Sequence, residues 1–339
     1  MSALVTVVIP AYGSPEPLRL LLAALDAQAA VTGEPLRVIV SDDASPEPLA
    51  GRLDLDGLGG LAARVVRSES NGGPGAARNR ALEEVLTPWV AFIDADELPA
   101  PGWLTRLQAL ISAPDAADVL VGRVQMPASP GPFEHATEAT GEEEQYVAGN
   151  VAFRTDLLRQ DGGFDERFYD PARKLHFRED AELRFRLERA SRRVSYEPEL
   201  VVEHPPLPRS LSTALRLARR YYFDPLLARE HPERFGAFVR KRRVGPYPLR
   251  KARHDSALVY ATGLLLLGIG RLLGSRRVMW LGASSLGSGW LLSVLALSWR
   301  RRVAPGELPA LAGVAALVPL VYLYHYYRGV IAFRHRPRL

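Results

Sequence analysis

The stretch Trp89 to Glu97, WVAFIDADE, constrains this chain more than any other. Five consecutive apolar residues, Trp89 to Ile93, describe a strand buried on both faces. Strands of that kind belong to sheets covered by helices on both sides, and such open α/β sheets place their ligands beyond the carboxyl ends of the strands. There the run breaks into Asp94-Ala95-Asp96-Glu97. Two apart in extended chain, Asp94 and Asp96 share a face. Two hard oxygen donors beside a phosphate suit Mg²⁺ or Mn²⁺. Taken alone, the D-x-D pattern serves equally as an acidic turn capping the next helix, expected from Pro101 to Ile111.

The flanking segments alternate strand and helix. Leu4 to Ile9 is a β-branched strand, Pro10-Ala11-Tyr12-Gly13 a turn, and Pro15 to Ala29 a helix with Leu18, Leu21, Leu22 and Leu25 at helical spacing. Leu36 to Val40 is a second strand ending in Ser41-Asp42-Asp43-Ala44-Ser45, and Arg64 to Val66 a short third. Asn71-Gly72-Gly73-Pro74-Gly75 opens a helix through Leu86. This alternation predicts a largely parallel sheet with crossover helices, its polar and Gly-rich strand ends gathered along one edge. Asp42-Asp43 at such an edge can accept from a ribose hydroxyl or a base N–H, or cap a short helix. The Gly72 to Arg78 entry offers N–H groups, a helix dipole and a guanidinium to an anion, with a plain capped turn as the alternative. It is neither a Walker A nor a complete G-x-G-x-x-G, and it follows the third strand, which argues against a dinucleotide dehydrogenase.

Beyond the D-x-D stretch, Val119 to Val124 is another strand and Pro127 to Gly141 a Pro/Gly/Ser/Thr-rich loop, followed by solvated charge at Glu142-Glu143-Glu144. Gly149 to Arg154 is a short strand behind a glycine, and Gly162-Gly163-Phe164-Asp165-Glu166 a tight turn with an apolar plug. Phe177 to Arg189 reads as a helix beginning Arg178-Glu179-Asp180, whose carboxylates complement a helix dipole whatever else they do. Val194 to Tyr196 and Leu200 to Val202 read as edge-type strands, with His204 after them.

In that order, Pro10-Ala11-Tyr12, Asp42-Asp43, Asn71-Gly-Gly-Pro-Gly with Arg78-Asn79, Asp94-Ala-Asp96, Gly149-Asn150, Gly162-Gly-Phe-Asp-Glu, Glu179-Asp180 and His204 resemble a family 2 glycosyltransferase of the GT-A fold, over roughly residues 4 to 205. Each motif is weak singly; the ordered set is specific. The resemblance implies inverting transfer from a nucleotide-diphosphate sugar. It implies that Pro10, Ala11 and Tyr12 border the base, Asp42 holds the base or ribose, and Asp43 supports that loop. Asn71 and Gly72 fall in the donor-binding loop, Arg78 contacts the donor near its ribose or diphosphate, and Asp94 lies by the ribose. Asp96 holds the Mg²⁺ or Mn²⁺, with His204 as a further ligand, a phosphate contact or a structural histidine. Gly149-Asn150 forms the acceptor-side wall, and Asp180 is the general base with Glu179 beside it. No Q-x-x-R-W follows the Glu179-Asp180 pair, so one sugar per encounter is expected rather than a processive polymer. Asp94-Ala-Asp96-Glu97 also differs from the D-A-D-x-Q of dolichyl-phosphate mannose synthases, which disfavours a bare polyprenyl phosphate acceptor.

The 339 residues suffice for one large domain and an appendage. There is no cysteine, so disulfides and thiolate metal sites are excluded. Met1 to Pro10 has no basic start, and no signal peptide is expected. Net charge is +5, with acidic residues mostly before about residue 200 and Arg dominant after it. Ala257 to Leu273, Val278 to Ser298 and Leu308 to Tyr327 are long apolar runs, flanked by Arg clusters and by Trp280, Trp290, Trp299 and Tyr322 to Tyr327, a pattern of interfacial aromatics. The first run holds Arg271 and is short enough to be interfacial or re-entrant.

The expected organisation is a catalytic domain over 1–209, a basic amphipathic linker over 210–255 and a membrane region of two to three helices over 256–339. Basic residues at Arg240 to Arg243 and Arg250 to Arg253 place the catalytic domain in the cytoplasm at the inner (plasma) membrane. Arg276-Arg277, Arg300 to Arg302 and the Arg334 to Arg338 tail cannot all lie inside if three helices span: one run does not cross, or the charge rule is broken. The expected partners are a nucleotide-sugar donor, a lipid-linked or membrane-proximal glycan acceptor and membrane lipids. Nucleic acid is not expected, since the basic residues crowd beside apolar spans. Two other readings stay open: a transferase that loads a polyprenyl-phosphate carrier, and a membrane scaffold built on an inactive transferase domain.

Overall fold

A computed structural model describes residues 3–13, 15–33, 35–126, 131, 133–134, 148–205, 210–239, 242–244, 247–249, 252–299 and 301–334. The expected loop from Pro127 to Gly141 (apart from residues 131, 133 and 134) and Glu142 to Glu144 lie outside them, as do the side chains of the Arg240–Arg243 and Arg250–Arg253 clusters. The chain divides into two compact units, Met1–Ala128 with Ala136–Pro205, and Ser129–His135 with Pro206–Leu339.

The first unit alternates β1 (Val5–Ala11), α1 (Pro15–Thr32), β2 (Leu36–Asp42), β3 (Leu61–Arg67), α2 (Gly73–Glu83), β4 (Trp89–Ile93), β5 (Leu98–Pro99), α3 (Trp103–Ile111), β6 (Val119–Gln125), β7 (Asn150–Arg154), α4 (Thr155–Gln160), β8 (Tyr169–Asp170), β9 (Leu175–His176), α5 (Glu179–Arg189) and β10 (Val194–Glu203). Eight strands form one sheet in the order β3-β2-β1-β4-β7-β6-β10-β5. Pairs β1–β2, β1–β4, β2–β3 and β6–β10 are parallel; β4–β7, β6–β7 and β5–β10 are antiparallel. This is the mixed, mainly parallel sheet that a GT-A resemblance implies.

Period-2 alternation sends β4 to both faces, as its unbroken apolar run predicts. Trp89, Ala91 and Ile93 join α1 and α3 in one core. Val90 and Phe92 join Leu82, Val85, Phe164, Leu183 and Leu187 in the other. Phe92 meets the rings of Phe153 and Phe164 edge-on, with centroids 5.9 and 5.4 Å away. Burying a side chain of this size contributes about 1.5–3 kcal/mol.

Two sequence expectations change. The strands anticipated at Val194–Tyr196 and Leu200–Val202 are one element, β10; β6 runs along one side of it, and β5 covers its other side only at Val202 and Glu203, so among the described strands Val194–Tyr196 keep the expected edge position. β10 carries an irregularity, for Glu197 pairs with Gly122 and Val201 with the next residue, Arg123. The helix anticipated from Phe177 begins at Glu179, because Arg178 sits at φ +80°. That is outside the helical region and costly for a residue with a Cβ.

The second unit contains α6 (Thr213–Arg219), α7 (Asp224–Glu230), α8 (Pro232–Val239), α9 (Ala252–Leu272), α10 (Arg276–Ser298) and α11 (Leu308–Phe333). Three segments here, Asp255–Leu272, Arg276–Ser298 and Pro305–Phe333, are long and apolar enough to cross a membrane, with mean hydropathies of 1.3, 1.4 and 1.7.

Candidate active site

The carboxyl ends of β1, β2 and β4 bring the predicted residues together. Adjacent residues at a strand end point to opposite sides, and this separates Asp42 from Asp43. Asp42 is fully buried and accepts from Ser45 N (2.9 Å), Leu49 N (3.1 Å) and the Arg67 guanidinium (2.5 Å). Burial works to raise its pKa, but the bonds from Ser45, Leu49 and Arg67 outweigh it and hold the carboxyl below its ordinary value. Asp43 accepts from the amides of Gly72 (3.0 Å) and Gly73 (2.7 Å). The anion at the start of α2 is therefore the protein's own Asp43, and those two amides are already paired.

Asp43 also lines a cavity of about 250 Å³ with Pro10, Ala11, Tyr12, Asn71, Gly73, Tyr169, Lys174 and His176; Asp42 does not. Asn71 donates to the Asp43 carbonyl (3.0 Å) and accepts from the Tyr169 hydroxyl. Gly73, at φ +82°, lies under the Tyr169 ring, which would be 2.6 Å from an added Cβ, so only glycine fits. Tyr12 is half exposed, with the Lys174 ammonium 2.5 Å from its hydroxyl and 5.0 Å from its ring centroid. Tyr169, Lys174 and His176 belong to the β8–β9 hairpin, which sequence reasoning missed because its strands are two residues each. Asp170-Pro171, a turn-initiating pair, was the available signal.

A charged row runs inward from this cavity. Arg78, 2 % exposed, donates to Asp94 Oδ1 (2.5 Å), and its Nη1 lies 4.0 Å from Glu179 Oε1. Its Nε and Nη1 have no hydrogen-bond partner, and the guanidinium stands 5.2 Å from the Phe164 ring centroid. His176 Nδ1 is 3.5 Å from Glu179 Oε1. Burial opposes ionisation of Glu179, but His176 and Arg78 prevail and bring its pKa down to about 2. Its neighbour Asp180, partly exposed, goes the other way, pushed up to about 6 by burial first and then by the Glu179 charge. Two adjacent carboxyls are thus driven apart in acidity, the arrangement that assigns different tasks to paired acids.

Asp96 and His204 meet at the neighbouring tip. His204 Nδ1 is 2.9 Å from the Pro205 carbonyl, which can only accept. In the neutral ring the proton therefore sits on Nδ1 and the Nε2 lone pair faces Asp96, 3.9 Å from Oδ2. Burial and the Asp94 charge raise the Asp96 pKa against the pull of His204. Among the described residues no three His, Asp or Glu side chains gather closely enough to hold a metal by themselves. A carboxylate and a correctly oriented imidazole fit a hard or borderline divalent cation that completes its shell with phosphate oxygens and water.

Gly149 and Asn150 occupy different environments. Asn150 is fully buried and clasps the sheet: its amide donates to the carbonyls of Arg123 (3.0 Å) and Leu200 (2.7 Å) and its oxygen accepts from Trp103 Nε1 (3.0 Å). Gly149 lies against the Glu97 carboxyl, which a Cβ would strike. Glu97 is fully buried without a hydrogen-bond partner for either oxygen, and burial, then Asp94 and Asp96, hold its pKa well above the ordinary range.

The acidic tip after β4 and the split carboxyl pair at the start of α5 both fall within the stretch that matches a known family. Residues 6–181 match Glycosyl transferase family 2, and the chain belongs to that family. It is 31% identical over 258 residues to the pre-mycofactocin glycosyltransferase of Mycobacterium tuberculosis (strain ATCC 25618 / H37Rv), covering 69% of this chain and 50% of that protein. It is 40% identical over 122 residues to succinoglycan biosynthesis protein ExoW of Rhizobium meliloti (strain 1021), covering 34% of this chain and 36% of that one. The chain thus spans half or less of the length of these relatives. Among solved structures it is similar to S. aureus TarS 1-349 in complex with UDP-GlcNAc (TM-score 0.49, 18% identity, 95% of this chain and 92% of that one). It is also similar to the mannosyltransferase PcManGT from Pyrobaculum calidifontis in complex with GDP-Man and Mn²⁺ (TM-score 0.47, 16% identity, 96% and 84%).

Proposed function

We propose that this chain is a membrane-anchored, inverting, metal-dependent glycosyltransferase. It moves one sugar from a nucleotide-diphosphate sugar to a lipid-linked or membrane-proximal glycan, with Asp180 as general base. The observation that carries this is the split Glu179–Asp180 pair: one carboxyl fixed and ionised, the other partly exposed and tuned to about 6. A base needs a pKa near the working pH to take a proton from an acceptor hydroxyl as it attacks. Arg78, pinned between Asp94 and Glu179 with unpaired N–H groups, has donors to spare for a ribose or phosphate oxygen. Tyr12 offers a flat face to a base, and Asp43 is the aspartate at that cavity wall, so of the neighbouring pair we assign Asp43 the ligand side and Asp42 the support of the loop. Asp96 and His204 would hold a Mg²⁺ or Mn²⁺, which when bound stabilises the charge on the departing pyrophosphate.

The apolar C-terminal helices support attachment to the inner membrane with the catalytic unit cytoplasmic, where an envelope polysaccharide intermediate is in reach. The relatives named for succinoglycan biosynthesis agree with an acceptor of that kind. Asp180→Asn tests the assignment. Thermal-shift titration with a panel of nucleotide sugars and Mn²⁺ should show donor binding retained, while transfer to membrane-derived acceptor is lost. Transfer within a few-fold of the parent would remove Asp180 from the role of base.

A further inference from the structure

We infer that only the α9–α10 hairpin crosses the bilayer, and that α11, the most apolar of the three candidate spans, lies in the lipid–water interface on the face where the chain enters α9. The inference rests on the membrane-anchored reading above and concerns the second unit alone.

The two helices of the hairpin cross together or not at all, because they touch along their length. A Cβ on Gly263 would stand 2.7 Å from Leu286 N, one on Gly270 2.7 Å from Met279 N, and one on Gly289 2.9 Å from Tyr260 N. Close backbone approach through small residues is how apolar helices associate in lipid. Trp280 and Trp299, both well exposed, bracket α10. Their separation in sequence corresponds to about 28 Å of helix, close to the thickness of a hydrocarbon core. Arg276 and Arg277 precede the first tryptophan, and Arg301 and Arg302 follow the second. A crossing hairpin returns the chain to its face of entry, so α11 begins there.

The far end of α11 is on that face too. Tyr322 packs on Tyr221 at 4.8 Å, and Phe333 on Tyr222 and Phe223 at 5.1 and 6.0 Å. Gly329 lies against the Tyr222 carbonyl, and the Arg229 guanidinium donates to the Phe333 carbonyl. Tyr221 to Arg229 precede α9 and stand among Arg219, Arg220, Asp224 and Glu230, charges that a bilayer core does not admit without large cost. A helix whose start and end both meet the entry face has not crossed, whatever its hydropathy. One stripe of α11 packs inward through Leu311, Ala315, Val318, Tyr322, Gly329 and Phe333. On the other side Leu317, Leu320, Tyr324, Tyr327 and Ile331 recur at helical spacing and are 40–73% exposed. This stripe continues the apolar surface of the hairpin, and its tyrosines suit the headgroup level, so its occupant is the outer few ångströms of the same leaflet. The arrangement also eases the charge conflict in the sequence: Arg301, Arg302 and Arg334 stay on the entry face, and Arg276-Arg277 is the translocated pair among the described residues.

The absence of cysteine makes single-cysteine labelling direct. In the full chain, Glu69→Cys, Leu273→Cys, Gly306→Cys and Arg334→Cys are exposed to a membrane-impermeant maleimide in sealed vesicles of each orientation. Glu69→Cys, Gly306→Cys and Arg334→Cys should label from one face and Leu273→Cys from the other. Arg334→Cys opposite to Gly306→Cys means α11 spans, and Leu273→Cys on the same face as Gly306→Cys means the hairpin does not; either result overturns the inference. A fluorophore on Leu320→Cys, mid-helix, should be quenched by shallow nitroxide lipids and not by deep ones, the reverse of a spanning helix. Alkaline washing separates the two claims: a chain that washes off overturns the anchored reading together with this one. A retained chain with a translocated Arg334→Cys overturns this one alone.

Discussion

Glu179 is the sharpest handle on the proposed base. Asp180 stands at about 6 against an ordinary 3.8, with burial the larger cause and the Glu179 charge the second. Glu179→Gln removes the second cause and keeps the side chain's shape. It also frees Arg78 from its 4.0 Å partner, and Arg78 already favours the ionised form of Asp180. Both consequences act in one direction. Because burial remains, the recovery is partial, and a downward move of the acidic limb of the pH profile by about one pH unit is the working magnitude. A base works ionised, so activity rises with pH through its pKa. At pH 5 a group titrating at about 6 is roughly a tenth ionised and one titrating near 5 is about half ionised, so the variant should gain up to about fivefold relative to its own plateau. The assay is kcat/KM against pH from 4.5 to 8 at saturating Mn²⁺, which reports the free enzyme. A limb that stays put or moves upward would refute the account of the pair, and a profile without a limb would refute Asp180 as base.

Other outcomes follow from the same contacts. Asp43→Ala strands two amides at the start of α2 and should cost about 2–4 kcal/mol by denaturant unfolding, with Asp43→Asn milder. Asn150→Ala breaks the clasp to Trp103, Arg123 and Leu200; stability should fall by about 2–4 kcal/mol while the acceptor KM of the folded fraction holds. A raised acceptor KM would return Asn150 to the acceptor wall. Asp96→Asn should abolish the Mn²⁺-dependent part of donor-induced thermal stabilisation, and chelation of the parent enzyme should do the same.

The sheet was legible because its strands are apolar on both faces: five buried residues in β4 leave little else for Trp89 to Ile93 to be. Asp94, Asp96, Glu179 and Asp180 were legible as strand-end and helix-start carboxylates. The different surroundings of Asp42 and Asp43 were not, since the sequence shows two identical residues, both buried, and only the fold encloses one with Ser45, Leu49 and Arg67 and sets the other against Gly72 and Gly73. Asn150 has the same difficulty, because a buried clasp and a polar wall call for the same amide. The β8–β9 hairpin lacked any periodic signal, yet it brings Lys174 over Tyr12 and His176 beside Glu179. In the C-terminal part hydropathy reports length and apolarity, but it is blind to which helix end returns to Tyr222 and Arg229.

The mismatch in β10 has a consequence for how His204 stays aligned with Asp96. Residues 198–200 are surplus to the pairing with β6, and beyond them the strand is locked again from Val201 to Glu203. The pairing that resumes at Val201, continued by the His204 amide donating to the Gln125 carbonyl, sets the side on which His204 leaves the sheet. Slipping that second lock by one residue against β6 would turn Val201 to Glu203 to the opposite surface, and His204 with them. The histidine thus owes its aim to a pairing that resumes only after three unmatched residues, a dependence that no motif at position 204 records.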